Sequence, residues 1–265
     1  PRRRPGHRRG QHRALCAALE RRVLRRARAV VAVSERMAQH LQQRHGKPRA
    51  AVHSITNGYD PDDAVLAHDA RRPQARPFQL CYVGSVYDVR DFQPLFRAIR
   101  SLMAGGGVAP EDIRLVFVGN MDPGVSGTFG LGTCVEVHPY VPHARVFDYL
   151  ATADCLLLVE KGKYCGQYGY AVKLFDYLLT GKPVLALVDQ DANTARLVDR
   201  CGVGVVVDCR DTGAIAEALQ RAIALKGAPP RPVDLTREPL RAFNRRSLTG
   251  KLANALDAML GSVPG

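Results

Sequence analysis

Lys173-Leu-Phe-Asp176-Tyr-Leu-Leu-Thr-Gly181-Lys-Pro183-Val184 is the stretch from which the fold of this 265-residue chain can be predicted. Its pattern predicts a helix that ends at Gly181, a turn at Pro183 and a buried strand that begins at Val184. Lys173 and Asp176 are three residues apart, so on a helix they share one face and can bind one polar ligand together. A cation and a carboxylate near a helix start suit the phosphates and ribose hydroxyls of a nucleotide. The alternative is an ordinary ion pair on the surface.

Strands and helices alternate on both sides of this stretch. From residue 78 onward the sequence predicts strands at 79–83, 114–118, 134–138, 155–159, 184–188 and 203–207. It predicts helices at 92–104, 143–152, 170–180, 191–200 and 212–225. Apolar strands that alternate with amphipathic helices are typical of a parallel sheet covered on both faces. We therefore predict an α/β fold, a Rossmann-like parallel six-stranded sheet with helices on both faces, which binds its ligand at the carboxyl ends of the strands.

The amino-terminal part predicts a smaller α/β piece. Residues 1–12 combine Pro, Gly and Arg without apolar periodicity, so we expect them to be disordered. The further elements predicted there are a basic amphipathic helix at 13–28, strands at 29–33 and 51–56, and a helix at 35–45. These elements are too few to close a core of their own. We interpret them as part of a second Rossmann-like domain, and the chain as a fragment or a truncated chain.

These patterns divide the chain into four parts. Residues 1–60 form the amino-terminal remnant, and residues 61–77, with three prolines and a run of charges, are predicted to be a linker. Residues 78–235 hold the six predicted strands and form the ligand-binding domain. Residues 236–265 follow as a carboxyl-terminal helix, predicted from about residue 237 to residue 260.

The net charge of +13 is concentrated at the amino end, because residues 1–50 hold 15 of the 38 Lys and Arg but two of the 25 acidic residues. Such a segment can bind anionic lipid headgroups, so we expect the protein to be peripheral at a membrane surface. An inert solvated face or a coding bias toward arginine is the alternative. A nucleic-acid partner is not expected, since no aromatic residues are interleaved with these arginines.

The seven cysteines form no CxxC pair and no Cys/His ligand grouping. Their odd number and scatter favour a reducing compartment over a disulfide framework, so we expect a cytoplasmic protein without a structural metal. The apolar runs are too short to cross a bilayer. No GxxxxGK[ST], GxSxG or HExxH motif occurs, and no GxGxxG follows the first strand of the domain, so common phosphate-loop, hydrolase and zinc-protease functions have no support.

Six segments resemble, in order, one family of sugar-transferring enzymes. They are Arg28-Ala-Val-Val-Ala-Val-Ser34, Ile55-Thr-Asn57-Gly58-Tyr-Asp60, Leu80-Cys-Tyr-Val-Gly84, Leu115-Val-Phe-Val-Gly119, Val137-His-Pro-Tyr-Val-Pro142 and the stretch from Lys173 to Val184. The succession is similar to the carboxyl-terminal half of retaining glycosyltransferases of the group 1, or family-four, type. These enzymes have the GT-B fold, in which two Rossmann-like domains face each other. The second segment resembles the family's hinge between the domains, and the last resembles its K-x-x-E signature.

The resemblance implies a donor site for a nucleotide-diphosphate sugar, which is a substrate, with no separate cofactor and no metal. Together with the position of the predicted strand ends, it leads us to predict these donor-binding residues: Gly84, Ser85, Arg90, Tyr140, Val141, Gly169, Tyr170, Lys173 and Asp176. Gly84 and Ser85 would approach the diphosphate through the backbone, and Arg90 and Lys173 would neutralise it. Asp176 stands where the family has a ribose-binding glutamate.

Four further residues are expected to contact the donor. Gly169 and Tyr170 would begin the helix whose amino end faces the phosphates. Tyr140 and Val141 would hold the base, mainly through the backbone. Tyr140 could equally be an aromatic residue that serves in packing, and Arg90 could equally be a solvated arginine on the surface. Tyr168 departs from the family, which often has at this position a glutamate that contacts the transferred sugar.

The implied activity is hexosyl transfer to an acceptor hydroxyl of a glycan, a lipid or a small molecule, with retained anomeric configuration, in glycan or polysaccharide biosynthesis. No catalytic residue can be assigned, because the acceptor side belongs to the amino-terminal domain. The alternatives are a truncated, non-catalytic nucleotide-binding module and a nucleotide-sugar epimerase, which shares the two-domain fold.

Overall fold

The computed structural model describes residues 5–45, 51–67, 76–86, 88–122, 130–160 and 165–260, with the side chains of 5–13 and 165–166 left out. The chain divides into two compact units. The smaller unit comprises residues 1–56 and 247–265, and the larger unit comprises residues 57–246.

The larger unit is built on one parallel sheet. Its strands are β3 (Phe78–Val83), β4 (Ile113–Val118), β5 (Val135–His138), β6 (Cys155–Val159), β7 (Val184–Val188) and β8 (Gly204–Asp208). Their order across the sheet is β5-β4-β3-β6-β7-β8, and every neighbouring pair is parallel. The predicted fold class, a Rossmann-like parallel six-stranded sheet with helices on both faces, is therefore confirmed.

Helices cover both faces of this sheet. They are α3 (Gln93–Ala104), α4 (His143–Thr152), α5 (Val172–Thr180), α6 (Asn193–Cys201) and α7 (Thr212–Ala224), with a single helical turn at Cys165–Tyr168. Buried residues of α3 and α7 pack on one face of the sheet, and those of α4, α5 and α6 pack on the other. Strand β3 serves both cores, because Leu80 faces the first set of helices and Cys81 the second.

The sheet has a switch point between β3 and β6, where the strand order turns from descending to ascending. Strands β3 and β4 pair over six residues, but β3 and β6 pair only at Leu80–Cys155 and Cys81–Leu156. Beyond these pairs the Tyr177 hydroxyl lies between the strands. It accepts a hydrogen bond from the Val83 N–H at 3.2 Å and donates one to the Leu157 carbonyl at 3.1 Å. A crevice of the kind that binds ligands in α/β proteins therefore opens at these carboxyl ends.

The segment that resembled a domain hinge is tied down within the larger unit. Tyr59 is buried, and its hydroxyl donates to the Leu235 carbonyl at 3.0 Å. Its backbone pairs with the segment around Asn244, where the Tyr59 N–H donates to the Phe243 carbonyl at 3.1 Å and the Tyr59 carbonyl accepts from the Arg245 N–H at 3.0 Å. Two distant segments of the chain thus run side by side here.

The smaller unit contains α1 (Pro5–Arg26), β1 (Ala29–Ala32), α2 (Glu35–His45), β2 (Ala51–Ser54) and the greater part of α8 (Arg245–Leu260). Strands β1 and β2 are parallel and pair over four residues. The Arg28 guanidinium donates to the Met259 carbonyl at 2.8 Å. Within the described residues, no helix is both long and apolar enough to cross a bilayer.

Three sequence expectations need correction. Residues 5–12, expected to be disordered, belong to α1, while residues 1–4 lie outside the described part of the chain. The carboxyl-terminal helix begins at Arg245 and not near residue 237, because a 3-10 turn at Leu240–Phe243 precedes it and buries both of its end residues. In the predicted linker, Pro61–Leu66 forms a 3-10 helix capped by the Asp60 side chain, and residues 68–75 lie outside the described residues.

Candidate functional site

Two glycine turns close the carboxyl ends of β3 and β4. The Gly84 N–H donates to the Val118 carbonyl at 2.8 Å, and the Gly119 N–H donates to the His138 carbonyl at 3.0 Å. Their φ angles, +126° and +136°, lie in a region that side chains rarely allow. A Cβ added to Gly119 would lie only 2.5 Å from the Gly84 carbonyl oxygen. The two turns therefore touch through the backbone, and peptide groups line this edge of the crevice.

Lys173 brings a positive charge to the first of these turns. Its Nζ lies 3.7 Å from the centroid of the Tyr82 ring, and a Cβ built on Gly84 would lie 3.1 Å from the same nitrogen. No carboxylate among the described residues lies within 4.0 Å of it. Burial lowers the pKa of Lys173 to about 8, and the charge of Glu160 opposes that shift. A partly desolvated ammonium without a close counter-ion is suited to bind an anion.

The position of Lys173 is set by the rest of α5. Leu174, Phe175 and Leu178 of this helix are buried against the sheet. Tyr177 anchors the helix at the switch point through the two hydrogen bonds given above, and Lys173 precedes it by one helical turn. Side chains four residues apart on a helix lie on the same face, so the anchor directs the lysine to the crevice.

Asp176 has different neighbours from Lys173. Its Oδ1 lies 3.4 Å from Nε2 of His143, at the start of α4, and His143 Nδ1 lies 3.9 Å from Oδ2 of Asp63. Burial raises the pKa of Asp176, and the nearby His143 opposes the shift. The lysine amine thus lies at the glycine turn while the carboxylate faces an imidazole. Joint contact of both groups with one nucleotide stays a prediction.

Several predicted site residues lie on the surface or serve in packing. Arg90 is largely exposed, and its guanidinium pairs with Asp88 at 2.6 Å. Tyr140 is 83% exposed, whereas Val141 packs on the core under α4 and α5. The structure therefore gives Arg90 an acidic partner of its own, and its role at a diphosphate is an untested prediction.

The segment just before α5 is held by aromatic packing. The Tyr170 ring lies 5.0 Å from that of Phe243 in an edge-to-face arrangement. Gly169 precedes it, half-buried, between the helical turn at Cys165–Tyr168 and α5. At the other side of the crevice, the Ser85 carbonyl accepts a weak hydrogen bond from the Tyr82 hydroxyl at 3.4 Å. Ser85 thus contacts the tyrosine whose ring lies beside Lys173, and its role at a donor stays a prediction.

One acidic residue of the crevice was missed from the sequence. Glu160 directly follows β6, and its N–H donates to the Leu187 carbonyl at 3.1 Å. Burial raises the pKa of its carboxyl group, while the Thr194 hydroxyl and the Lys173 charge oppose the shift. A carboxylate placed directly after a buried strand at the switch point is the sequence signal that could have revealed it.

Two profiles of known protein families match the sequence of this chain. The profile described as "Glycosyl transferases group 1" matches residues 77–224, more than half of the chain. The chain belongs to the group 1 glycosyltransferase family. A second profile, "Glycosyltransferase Family 4", matches residues 1–63. A comparison with curated protein sequences finds no significant match.

Solved structures are similar in fold to this group 1 glycosyltransferase chain. Sucrose-phosphate synthase from Thermosynechococcus elongatus aligns with a TM-score of 0.70 at 19% identity, over 93% of this chain and 62% of that one. A glycosyltransferase from Rickettsia africae aligns with a TM-score of 0.67 at 13% identity, over 93% of this chain and 67% of that one. Anabaena HepE, solved in complex with UDP-glucose, aligns with a TM-score of 0.54 at 15% identity, over 91% of this chain and 67% of that one. The chain thus spans about two thirds of the length of the proteins it resembles.

Among the residues that the structure describes, two groups of side chains in this group 1 glycosyltransferase chain are of a kind that could hold a metal ion. The first is Asp63, His143 and Asp176, and the second is Asp189, Asp208 and Cys209. In the first, the two ring nitrogens of His143 face different carboxylates, which fits a bridging imidazole better than one shared ion. In the second, the Arg210 guanidinium pairs with Asp189 and already supplies a positive charge.

A cavity of about 350 Å³ lies away from the crevice, over β3, β4 and β5 beside α4. Its charged lining residues have partners, since the Arg76 guanidinium pairs with Asp154. Arg114 bonds Glu136 at 3.1 Å, and the Gln79 amide bonds the Thr152 hydroxyl at 3.3 Å. We assign this cavity no role in the group 1 glycosyltransferase site, because its charges are already matched.

Proposed function

We propose that this chain forms the donor-binding part of a glycosyltransferase that transfers a hexosyl group from a nucleoside-diphosphate sugar to an acceptor hydroxyl, with retained anomeric configuration, in glycan or polysaccharide biosynthesis. The observation that carries this proposal is the Lys173 ammonium beside the Gly84 turn, at the switch point of a parallel sheet. Family membership supports sugar transfer, and the geometry supports an anionic donor.

The reaction requires stabilisation of a departing diphosphate, which gains negative charge in the transition state. Lys173 supplies a fixed cation, and its partial burial strengthens the interaction because the local dielectric is low. The amino end of α5, at Val172, contributes a partial positive charge from the helix dipole. In this proposal Arg90 would exchange its exposed pairing with Asp88 for the diphosphate.

The rest of the donor is assigned by the family pattern. Asp176 would accept hydrogen bonds from the ribose hydroxyls, and the backbone at Tyr140 and Val141 would hold the base. Two similar structures support a nucleotide donor, since HepE was solved with UDP-glucose and Staphylococcus aureus TarM with UDP. The smaller unit would belong to the acceptor side. Because the chain spans only part of its relatives, it can bind donor without completing transfer.

Nucleoside diphosphate binding by the purified chain tests the proposal. Calorimetric titration with UDP, GDP and ADP should reveal one preferred nucleotide. Lys173→Met keeps most of the side chain but removes its charged amine, and should bind that nucleotide about 10- to 100-fold more weakly, the worth of a charge-assisted hydrogen bond. Lys251→Met, in exposed α8, is the matched control and should bind as the parent does. Equal binding by the Lys173 variant and the parent would refute the assignment.

A peripheral membrane placement is proposed for the basic helix α1. Leu15, Leu19 and Val23 are exposed and recur every four residues, so they form an apolar stripe. The neighbouring arginines would contact anionic headgroups while the stripe enters the interface. Co-sedimentation with phosphatidylserine vesicles tests this proposal. Binding should fall at high salt and in the variant Leu15→Gln/Leu19→Gln, and an absence of sedimentation at low salt would exclude it.

A further inference from the structure

Gly84 and Glu160 directly follow β3 and β6, the two strands that flank the switch point. Both residues therefore lie at the carboxyl ends of neighbouring parallel strands, the edge where such sheets bind ligands.

A short chain of hydrogen bonds anchors the Glu160 carboxyl group. Thr194 Oγ1 accepts the Ala171 N–H at 3.0 Å, which leaves the hydroxyl proton of Thr194 free to bond Glu160. Ala171 is the residue before α5, so this chain also links Glu160 to the helix that carries Lys173. The carboxyl group is thereby held in one orientation.

The second carboxyl oxygen has no such partner. Glu160 Oε2 is shielded from solvent and forms no hydrogen bond within the described part of the chain. Lys173 influences it electrostatically, but no ion pair within 4.0 Å joins them among the described residues. Buried carboxyl oxygens are normally hydrogen-bonded, and an unbonded one is costly. A ligand hydroxyl that enters the crevice would satisfy it.

We propose that Glu160 accepts a hydrogen bond from a hydroxyl of the transferred sugar and so selects the donor's sugar. The inference rests on the proposed function. A carboxylate repels phosphate, so in this proposal Lys173 binds the diphosphate and Glu160 binds the neutral, hydroxyl-bearing sugar.

The test compares each nucleoside diphosphate with its glucose conjugate. UDP, GDP, ADP and their glucose derivatives are titrated against the parent and Glu160→Gln, an isosteric change that removes the charge. We expect the affinity of Glu160→Gln for the nucleoside diphosphate to be within about twofold of that of the parent. Its affinity for the glucose conjugate should fall by about tenfold or more, as expected for the loss of a hydrogen bond to a charged group. Glu217→Gln, an exposed residue of α7, is the matched control and should change neither.

A second measurement begins with the parent protein alone and changes the ligand. Conjugates that lack one sugar hydroxyl at a time are titrated against the parent, and one of them should bind about tenfold more weakly. In Glu160→Gln that same deletion should cause no further loss. Equal losses for diphosphate and conjugate, or no loss for either, would overturn the role of Glu160 while leaving the proposed function intact. A parent chain that binds none of the nucleotides would overturn both.

Discussion

The Lys173 ammonium lies 3.7 Å from the centroid of the Tyr82 ring. An aromatic face attracts a cation by about 0.5–2 kcal/mol without neutralising it, unlike a carboxylate in an ion pair. The ring therefore holds the ammonium beside Gly84 and leaves its charge available. Burial lowers the pKa of the same group to about 8, so charge and position are both sensitive to the surroundings.

Nucleoside diphosphate affinity should fall as the pH rises through about 8. The lowered pKa of Lys173, about 8, means that the free protein carries this charge at pH 7 and has largely lost it at pH 9. Binding that needs the charged form should therefore weaken by about tenfold between these pH values. Calorimetry at pH 7, 8 and 9 measures this. Lys173→Arg keeps its charge throughout and should show a nearly flat profile, whereas a flat profile for the parent would contradict the argument.

Tyr177→Phe should destabilise the protein although it removes a single oxygen. Without the hydroxyl, the Val83 N–H and the Leu157 carbonyl lose their partner in a buried place. We expect the free energy of unfolding to fall by about 1–3 kcal/mol, as measured by urea denaturation. Tyr140→Phe, at an 83% exposed position, controls for the chemistry of the change and should leave the unfolding free energy unaltered. Similar stability of the two variants would argue against the bridging role.

Gly204 and Gly202 should respond differently to alanine. At Gly204 an added Cβ would lie 1.9 Å from the carbonyl oxygen of Val184, its partner on β7, so the two strands would have to move apart. At Gly202 the φ angle is +60° and the space is open, so only the backbone conformation is penalised. We expect losses of about 3 kcal/mol and about 1 kcal/mol respectively, measured by denaturation. Equal losses would mean that the strand contact tolerates a methyl group.

Asp176→Asn should weaken ribonucleotide binding selectively. If the carboxylate accepts the ribose hydroxyls, the variant should lose about tenfold in affinity for the preferred nucleoside diphosphate, and the 2′- and 3′-deoxy analogues should show a smaller loss. Burial raises the pKa of Asp176, so the parent's preference for ribose should also decline as the pH falls through that raised value. Equal losses of affinity for the ribose and deoxyribose nucleotides would mean that Asp176 stabilises the structure through His143 and does not bind the ribose.

Much of the larger unit could be predicted because its signals are local. The strand at 184–188 and the helix at 143–152 were predicted with their observed ends, since apolar runs and helical periodicity reside in adjacent residues. Helix ends marked by glycine were also predicted, as at Gly181, where φ is +63°. The helix at Pro5–Arg26 was predicted too short, because its first residues lack an apolar pattern.

The amino-acid sequence by itself determined the order of the elements, the parallel sheet and the place of Lys173 on the helix that meets its carboxyl edge. Only the tertiary structure decided which groups meet there. It places the Tyr177 hydroxyl between Val83 and Leu157, sets Asp176 against His143 and, within the described residues, leaves an oxygen of Glu160 without a hydrogen bond. The physical reason is distance along the chain. Periodicity records which face of an element is buried, whereas a hydrogen bond between residues 94 positions apart depends on how whole elements pack.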